Sequence, residues 1–147
     1  RDREQGFCDG LEAAGLTLYA RDVGNFRYEE AQAAARRMFD RPDRPDAVFV
    51  CNDHMAFAVM DVLRFELGLH IPDDVSVVGF DDVPPARWPA YNLTTIRQNV
   101  DDMVGETVAT LMKSIKEGEG SARRVVLDGA LIVRGSTRKA APTEKTR

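Results

Sequence analysis

Asp81, Asn52, Arg3 and Phe26 are the side chains of this sequence whose types and placement suit the recognition of a small polar molecule. Asp81 follows Val75-Ser76-Val77-Val78-Gly79-Phe80, a short β-branched run that predicts a strand buried on both faces. Asn52 follows Ala47-Val48-Phe49-Val50-Cys51, apolar without alternation and predicted as a second buried strand. Parallel strands that end in polar residues deliver them to one edge of a sheet, and the carboxyl edge of an open α/β sheet is where small ligands sit. A carboxylate that accepts, beside an amide that both donates and accepts, can hold pairs of hydroxyls. Phe26 lies in a loop, residues 21–27, after a further predicted strand, Leu16 to Ala20, and offers an aromatic face suited to a sugar ring or a flat base. Arg3 reaches the same rim if a strand precedes its helix. Each residue also has a plainer use. Asn52 serves equally as a turn residue, Asp81 as a cap for the segment after it, Phe26 as core and Arg3 as a solvated charge. Taken one at a time, the residues leave both uses open; their convergence on one edge favours a ligand site without identifying the ligand.

The elements that must position these residues read as follows. Phe7, Leu11 and Ala14 share one face of a first helix, which Gly15 stops. Tyr28, Ala31, Ala35, Met38 and Phe39 form the stripe of a second helix, ended by Pro42 and Pro45. Asp53 is placed to cap a third helix, whose apolar face is Ala56, Val59, Met60, Leu63 and Leu67 and whose end is Gly68. Strand, helix and strand at close spacing predict a parallel sheet with crossover helices, an α/β fold. Residues 83–93 are irregular and proline-rich, and they carry Trp88, a candidate either for a subunit contact or for covering the core. Thr94 to Arg97 is β-prone. Val100, Met103, Val104, Thr107, Val108, Leu111, Met112 and Ile115 mark an amphipathic helix that Gly118-Glu119-Gly120-Ser121 ends. Val125 to Leu127 and Leu131 to Val133 predict two short strands, and the polar tail, residues 139–147, is expected to be disordered. Because the chain enters a helix at once with no strand before it, the expectation is a fragment whose amino-terminal part is missing.

Composition narrows the function classes. The chain has 147 residues, 44% hydrophobic and 30% charged, which suits one soluble domain with a core. A formal net charge of -4 gives no bulk attraction to nucleic acid. No apolar run approaches the ~20 residues of a membrane span, and no secretory signal opens the chain, so a cytoplasmic location is expected. Cys8 and Cys51 lack the spacing of a metal site or a disulfide framework. His54 and His70 are isolated, and no nucleophile, phosphate-cradling glycine loop or metal spacing emerges. Neither an enzyme, a cofactor nor a metal is expected.

Four stretches carry a resemblance to a known family: Asn52-Asp53-His54-Met55-Ala56, Ile71 to Asp82, Leu93-Thr94-Thr95-Ile96-Arg97-Gln98, and Leu131 to Thr137. In order and spacing they resemble the lac-repressor (LacI/GalR) family of transcriptional regulators over residues 1–138, and the opening Arg3-Glu4-Gln5-Gly6-Phe7 is similar to that family's helix start. Two departures stand out, Trp88 to Asn92 in place of a proline directly before Leu93, and Ala31 where glycine is common. The resemblance implies a type I periplasmic-binding-protein-like module, a doubly wound parallel sheet that is here incomplete. Residues 1–98 would be most of its carboxyl-terminal subdomain, 99–127 a helix and strand returning to the amino-terminal subdomain, and 128–138 a final strand crossing back. It implies effector contacts at Arg3, Phe26, Asn52, Asp81 and, by the resemblance alone, Gln98. It further implies a sugar or similar metabolite as effector, a homodimer, and operator DNA bound only through a helix-turn-helix absent from this chain. The alternative is the substrate-binding protein of a sugar transporter with the same fold.

Overall fold

The apolar runs of the sequence become strands because only a sheet covered on both sides can bury so many consecutive branched side chains. The computed structural model describes residues 2–117 and 124–139. Its strands are β1 (Ala47–Phe49), β2 (Ser76–Asp81), β3 (Thr94–Arg97) and β4 (Ala130–Ile132). They lie in the order β1-β2-β3-β4, with β1, β2 and β3 mutually parallel and β4 antiparallel to β3. The register sets Val48 beside Val77, Gly79 beside Thr95 and Asp81 beside Arg97.

Helices cover both faces. Side chains alternate along a strand, so Val75, Val77 and Gly79 point one way and Val78 and Phe80 the other. Toward the first face pack α2 (Tyr28–Phe39) and α3 (Asp53–Asp61), whose Ala31, Ala35, Ala56, Met60 and the following Leu63 form the core with Val75 and Val77. On the second face lies α1 (Asp2–Ala13), with Phe7 stacked on Phe49 at 5.0 Å between ring centroids. Gly15 and Gly68 follow their helices at φ +70° and +63°, the left-handed conformation in which glycine carries no steric cost. After Asp61 the helix widens into a π-type turn, Val62–Glu66, closed by the Leu67 N–H on the Val62 carbonyl at 3.0 Å.

Three expectations need correction. Residues 16–20 belong to no strand: the Leu16 N–H donates back to the Leu11 carbonyl at 2.8 Å, closing α1, and no described strand pairs with the backbone of residues 17–20. Residues 125–127 are likewise outside any strand, and only Ala130–Ile132 pairs with β3. The cap of α3 is Asn52, whose side-chain oxygen accepts from the Met55 N–H at 2.8 Å. Asp53 is instead the first helical residue and turns its carboxylate inward.

The last helix, α4 (Val100–Glu117), is amphipathic as expected, yet its apolar stripe is open: Val100, Val104, Val108, Leu111 and Ile115 are all more than half exposed. The glycine-rich ending at residues 118–121 and the tail from residue 140 onward lie outside the described residues.

Candidate functional site

The carboxyl edge of β2 is built by two consecutive aspartates with positive φ, Asp81 at 126° and Asp82 at 56°. Non-glycine residues are strained there, and such strain persists only where surrounding contacts hold it. The contacts are on hand for both residues. Asp82 is 7% exposed and accepts from Arg97 Nε and Arg134 Nη2, each at 2.6 Å, while Arg134 also donates to the Leu93 carbonyl at 2.7 Å. Burial raises the Asp82 pKa, but the hydrogen bonds from Arg134 and Arg97 outweigh it and the net shift is downward. Asp82 thus anchors the loop from within.

Asp81 faces the other way, onto the rim. Its Oδ1 accepts from Gln98 Nε2 at 2.6 Å and pairs with Arg3 Nη2 at 3.1 Å. The same guanidinium donates through Nη1 to the Cys51 carbonyl at 2.7 Å and lies 4.0 Å over the Phe80 ring. Arg3 therefore joins the start of α1 to the carboxyl ends of both β1 and β2. Asn52 is the residue after Cys51, so it stands within one arginine's span of Asp81 on the same rim.

A second buried carboxylate fixes the floor. Asp53 is fully buried, with Oδ1 accepting from the Thr95 hydroxyl at 2.6 Å and Oδ2 from the Val83 N–H at 3.0 Å. It ties α3 to β3 and to the loop after β2. The backbone at Gly79 leaves it room: a Cβ there would run into Asp53 Oδ1 and into Leu93 Cδ2, the latter at 2.9 Å. Ser136 supports the opposite side, donating to the Val77 carbonyl at 2.6 Å and accepting from the Thr94 N–H at 2.8 Å.

Of the five residues expected at the site, Arg3, Asp81 and Gln98 are in direct contact, and Asn52 is their neighbour along the rim. Asn52 spends its oxygen on the α3 cap and keeps its Nδ2 donors available. Phe26 shares none of these bonds. It stands 75% exposed in the loop before α2, with Asn25 and Phe26 both at positive φ (48° and 58°), so it is no core residue. Sequence reasoning missed the Asp82–Arg97–Arg134 anchor and the Cys51 carbonyl that receives Arg3. Only the doubled aspartate hinted at the first, and a backbone acceptor leaves no sequence signal.

Chemically the rim is a hydrogen-bonding surface. Asp81 Oδ2 has no partner among the described residues, Asn52 offers donors, and Gln98 offers an amide oxygen. Burial, and after it the charge of Glu4, pushes the Cys51 thiol up, so it is protonated at neutral pH and a poor nucleophile. Among the described residues no group of three His, Cys, Asp or Glu side chains could hold a metal ion.

Residues 1–137 match the family described as a periplasmic binding protein-like domain. The chain belongs to that family. Among curated members it is 36% identical over 141 residues to the HTH-type transcriptional repressor PurR of Vibrio vulnificus (strain CMCP6), covering 95% of this chain and 42% of that repressor. Among solved structures of the family, a transcriptional regulator CelR–cellobiose complex superimposes with a TM-score of 0.80 at 36% identity, covering 90% of this chain and 41% of that one. The lac repressor dimer bound to operator and the anti-inducer ONPF gives a TM-score of 0.80 at 27% identity, covering 92% of this chain and 46% of that one. The chain thus spans less than half the length of these lac-repressor-like relatives. They are regulators of transcription, as the sequence resemblance implies, and the fold is the periplasmic-binding-protein-like one expected of them.

Proposed function

We propose that this chain is the effector-sensing part of a DNA-binding transcriptional regulator of the lac-repressor type, and that its effector is a sugar or a similarly hydroxylated metabolite. The observation that carries this reading is the cluster Arg3–Asp81–Gln98 on the carboxyl edge of a parallel sheet, with Asn52 beside it. An arginine and an aspartate of opposite charge, flanked by two amides, suit a neutral ligand rich in hydroxyls. Phe26 supplies a face against which a ring can lie. The cellobiose bound by the CelR relative is a ligand of that kind.

Residues 1–98 form one wall of the binding cleft. Residues 99–127 return to the opposite subdomain, and residues 128–138 cross back. The exposed apolar stripe of α4 supports that division, since a face of that character suits packing against another unit. The effector bridges both walls and favours one hinge angle by binding one state more tightly than the other. In a cytoplasmic homodimer, as in the operator-bound dimer of the lac repressor, that angle governs the spacing of DNA-binding heads carried elsewhere in the polypeptide.

The test is a thermal-shift titration of the full-length regulator that carries this chain, with both walls of the cleft present, against a panel of mono- and disaccharides, cellobiose first, repeated on Asp81→Ala. At least one sugar should raise the Tm in a saturable way. Asp81→Ala should cost about 2–4 kcal/mol of that binding, because hydroxyl donors are left unpaired. An equal shift in the variant, or no shift across the panel, would refute the reading.

A further inference from the structure

The chain leaves β3 through a two-residue link, Gln98 and Asn99, and enters α4 at Val100. Both link residues are tied forward to the helix. The Gln98 carbonyl accepts from the Val100 N–H at 3.1 Å, and the Asn99 carbonyl from the Met103 N–H at 3.0 Å. The Asn99 side-chain oxygen also accepts from the Asp102 N–H at 3.3 Å, so Asn99 caps α4. The connection entering β4 passes against the same spot. A Cβ on Gly129 would stand 2.8 Å from Ile96 Cγ2 and 3.1 Å from the Arg97 carbonyl, and the next residue, Ala130, is paired with Arg97. Two connections therefore pass the end of β3 side by side, and residues at element ends of this kind are where hinge motion is absorbed.

Two consecutive carboxylates hold two consecutive residues of this exit. Asp82 Oδ2 accepts from Arg97 Nε and Asp81 Oδ1 from Gln98 Nε2, each at 2.6 Å. The two grips differ in kind. The Asp82 side chain is 1% exposed and is shared with Arg134, whose Nη2 donates to its other oxygen at 2.6 Å, so this pair is fixed from within. The Asp81 side chain is 24% exposed, and its Oδ1 already carries two donors, which fills the lone pairs of that oxygen. Of the two donors Arg3 is the firmer, since it is charged, donates also to the Cys51 carbonyl and lies over the Phe80 ring. Gln98 is neutral, and Asp81 is the one partner of its side chain among the described residues. A further donor arriving at Oδ1 displaces Gln98 first.

We propose that the Asp82–Arg97 pair is a fixed pivot and the Asp81–Gln98 hydrogen bond a releasable latch on the link to α4. The carboxylate that faces the rim thereby reports what it holds to the hinge through a single side chain. A ligand hydroxyl that competes for Oδ1 frees residues 98–99, and it shifts the hinge by preferring the unlatched state. What operates the latch rests on the reading of Asp81 as an effector contact; the latch itself does not.

Amide hydrogen exchange, read by mass spectrometry on the full-length regulator that carries this chain, tests the latch with no sugar present. Gln98→Met keeps the length of the side chain and removes the donor. In it, and in Asp81→Ala, the peptide spanning residues 97–104 should exchange about tenfold faster. The double variant should exchange no faster than either single one, because both remove the same bond. The peptide spanning residues 130–137 should be unchanged in all three and accelerated by Asp82→Asn, which loosens the pivot. Arg3→Met, which disturbs Asp81 without touching Gln98, should alter the 97–104 peptide by less than about twofold. Unchanged exchange in Gln98→Met overturns the latch, as do effects that multiply in the double variant, and an unchanged 130–137 peptide in Asp82→Asn overturns the pivot. An equal effect from Arg3→Met also overturns the latch, since it would mark a general loosening of the rim. Should Asp81→Ala lose its near-UV circular dichroism, Gln98→Glu replaces it. Two carboxylates set against each other repel, so the 97–104 peptide should exchange at least as fast as in Gln98→Met, and slower exchange overturns the latch. A sugar panel without effect on the Tm would remove the effector reading and leave each of these outcomes as it stands.

Discussion

Asp82 places a buried charge between two arginine forks, and removing that charge leaves Arg134, whose side chain is 11% exposed, without its counter-ion. Breaking a buried pair in this way is strongly destabilising. Asp82→Asn should therefore lower stability by about 3 kcal/mol in urea unfolding. The pH dependence follows from the depressed pKa. A carboxyl whose folded pKa lies below its unfolded value contributes fully above about pH 4 and loses that contribution as pH falls through the folded value. Asp82→Asn should flatten the acid limb of the stability profile, and an unchanged limb would count against the anchor. Asn52 separates two roles in one side chain. Aspartate caps helices as well as asparagine does, but it lacks the amide donors. Asn52→Asp should thus keep the unfolding free energy within about 0.5 kcal/mol while weakening sugar binding about tenfold, measured by calorimetry. Asn52→Ala should lower both.

At the scale of elements, β2 is the point where α3, β3 and the rim meet, and Gly79 is what lets them come so close. Gly79→Ala should cost about 1–3 kcal/mol, read as a lowered urea midpoint, since Asp53 is held from two sides and cannot yield. Much of this layer was legible beforehand. β1 and β2 announce themselves by unbroken branched runs, and α2 by alanines at helical spacing. What failed had a common cause. Leu16 to Ala20 and Val125 to Leu127 have β-forming residues, but a strand exists only where a neighbour completes its ladder, and that neighbour is not a local property. The swap between Asn52 and Asp53 is similar. Two good capping residues stand side by side, and the choice is settled by Thr95, far away in sequence, which draws the Asp53 carboxylate inward. Of the proposed rim residues, Asn52 and Asp81 were readable from strand ends, while Arg3 was placed there only on the assumption of a strand before its helix. Gln98 required the family resemblance, because it follows β3 with no distinctive pattern of its own.

At the scale of the molecule, large aromatic side chains remain uncovered. Phe65 is 81% exposed on the π-type turn and Trp88 is 56% exposed after the short 3-10 helix Pro84–Arg87. The two segments are neighbours, since Arg64 hydrogen-bonds the Ala90 carbonyl. Apolar surface of this kind marks an association face. The chain should self-associate in sedimentation velocity, and Trp88→Arg should weaken that association about tenfold or more. Unaltered association would move the contact elsewhere. The back-to-back setting of positions 81 and 82 has a consequence for descent. One acidic residue answers to the medium outside and its neighbour to the scaffold, so a substitution at the first can bring another chemistry to the rim while one at the second is expected to cost the fold. A lineage built on this turn can acquire new tastes without having to relearn how to fold.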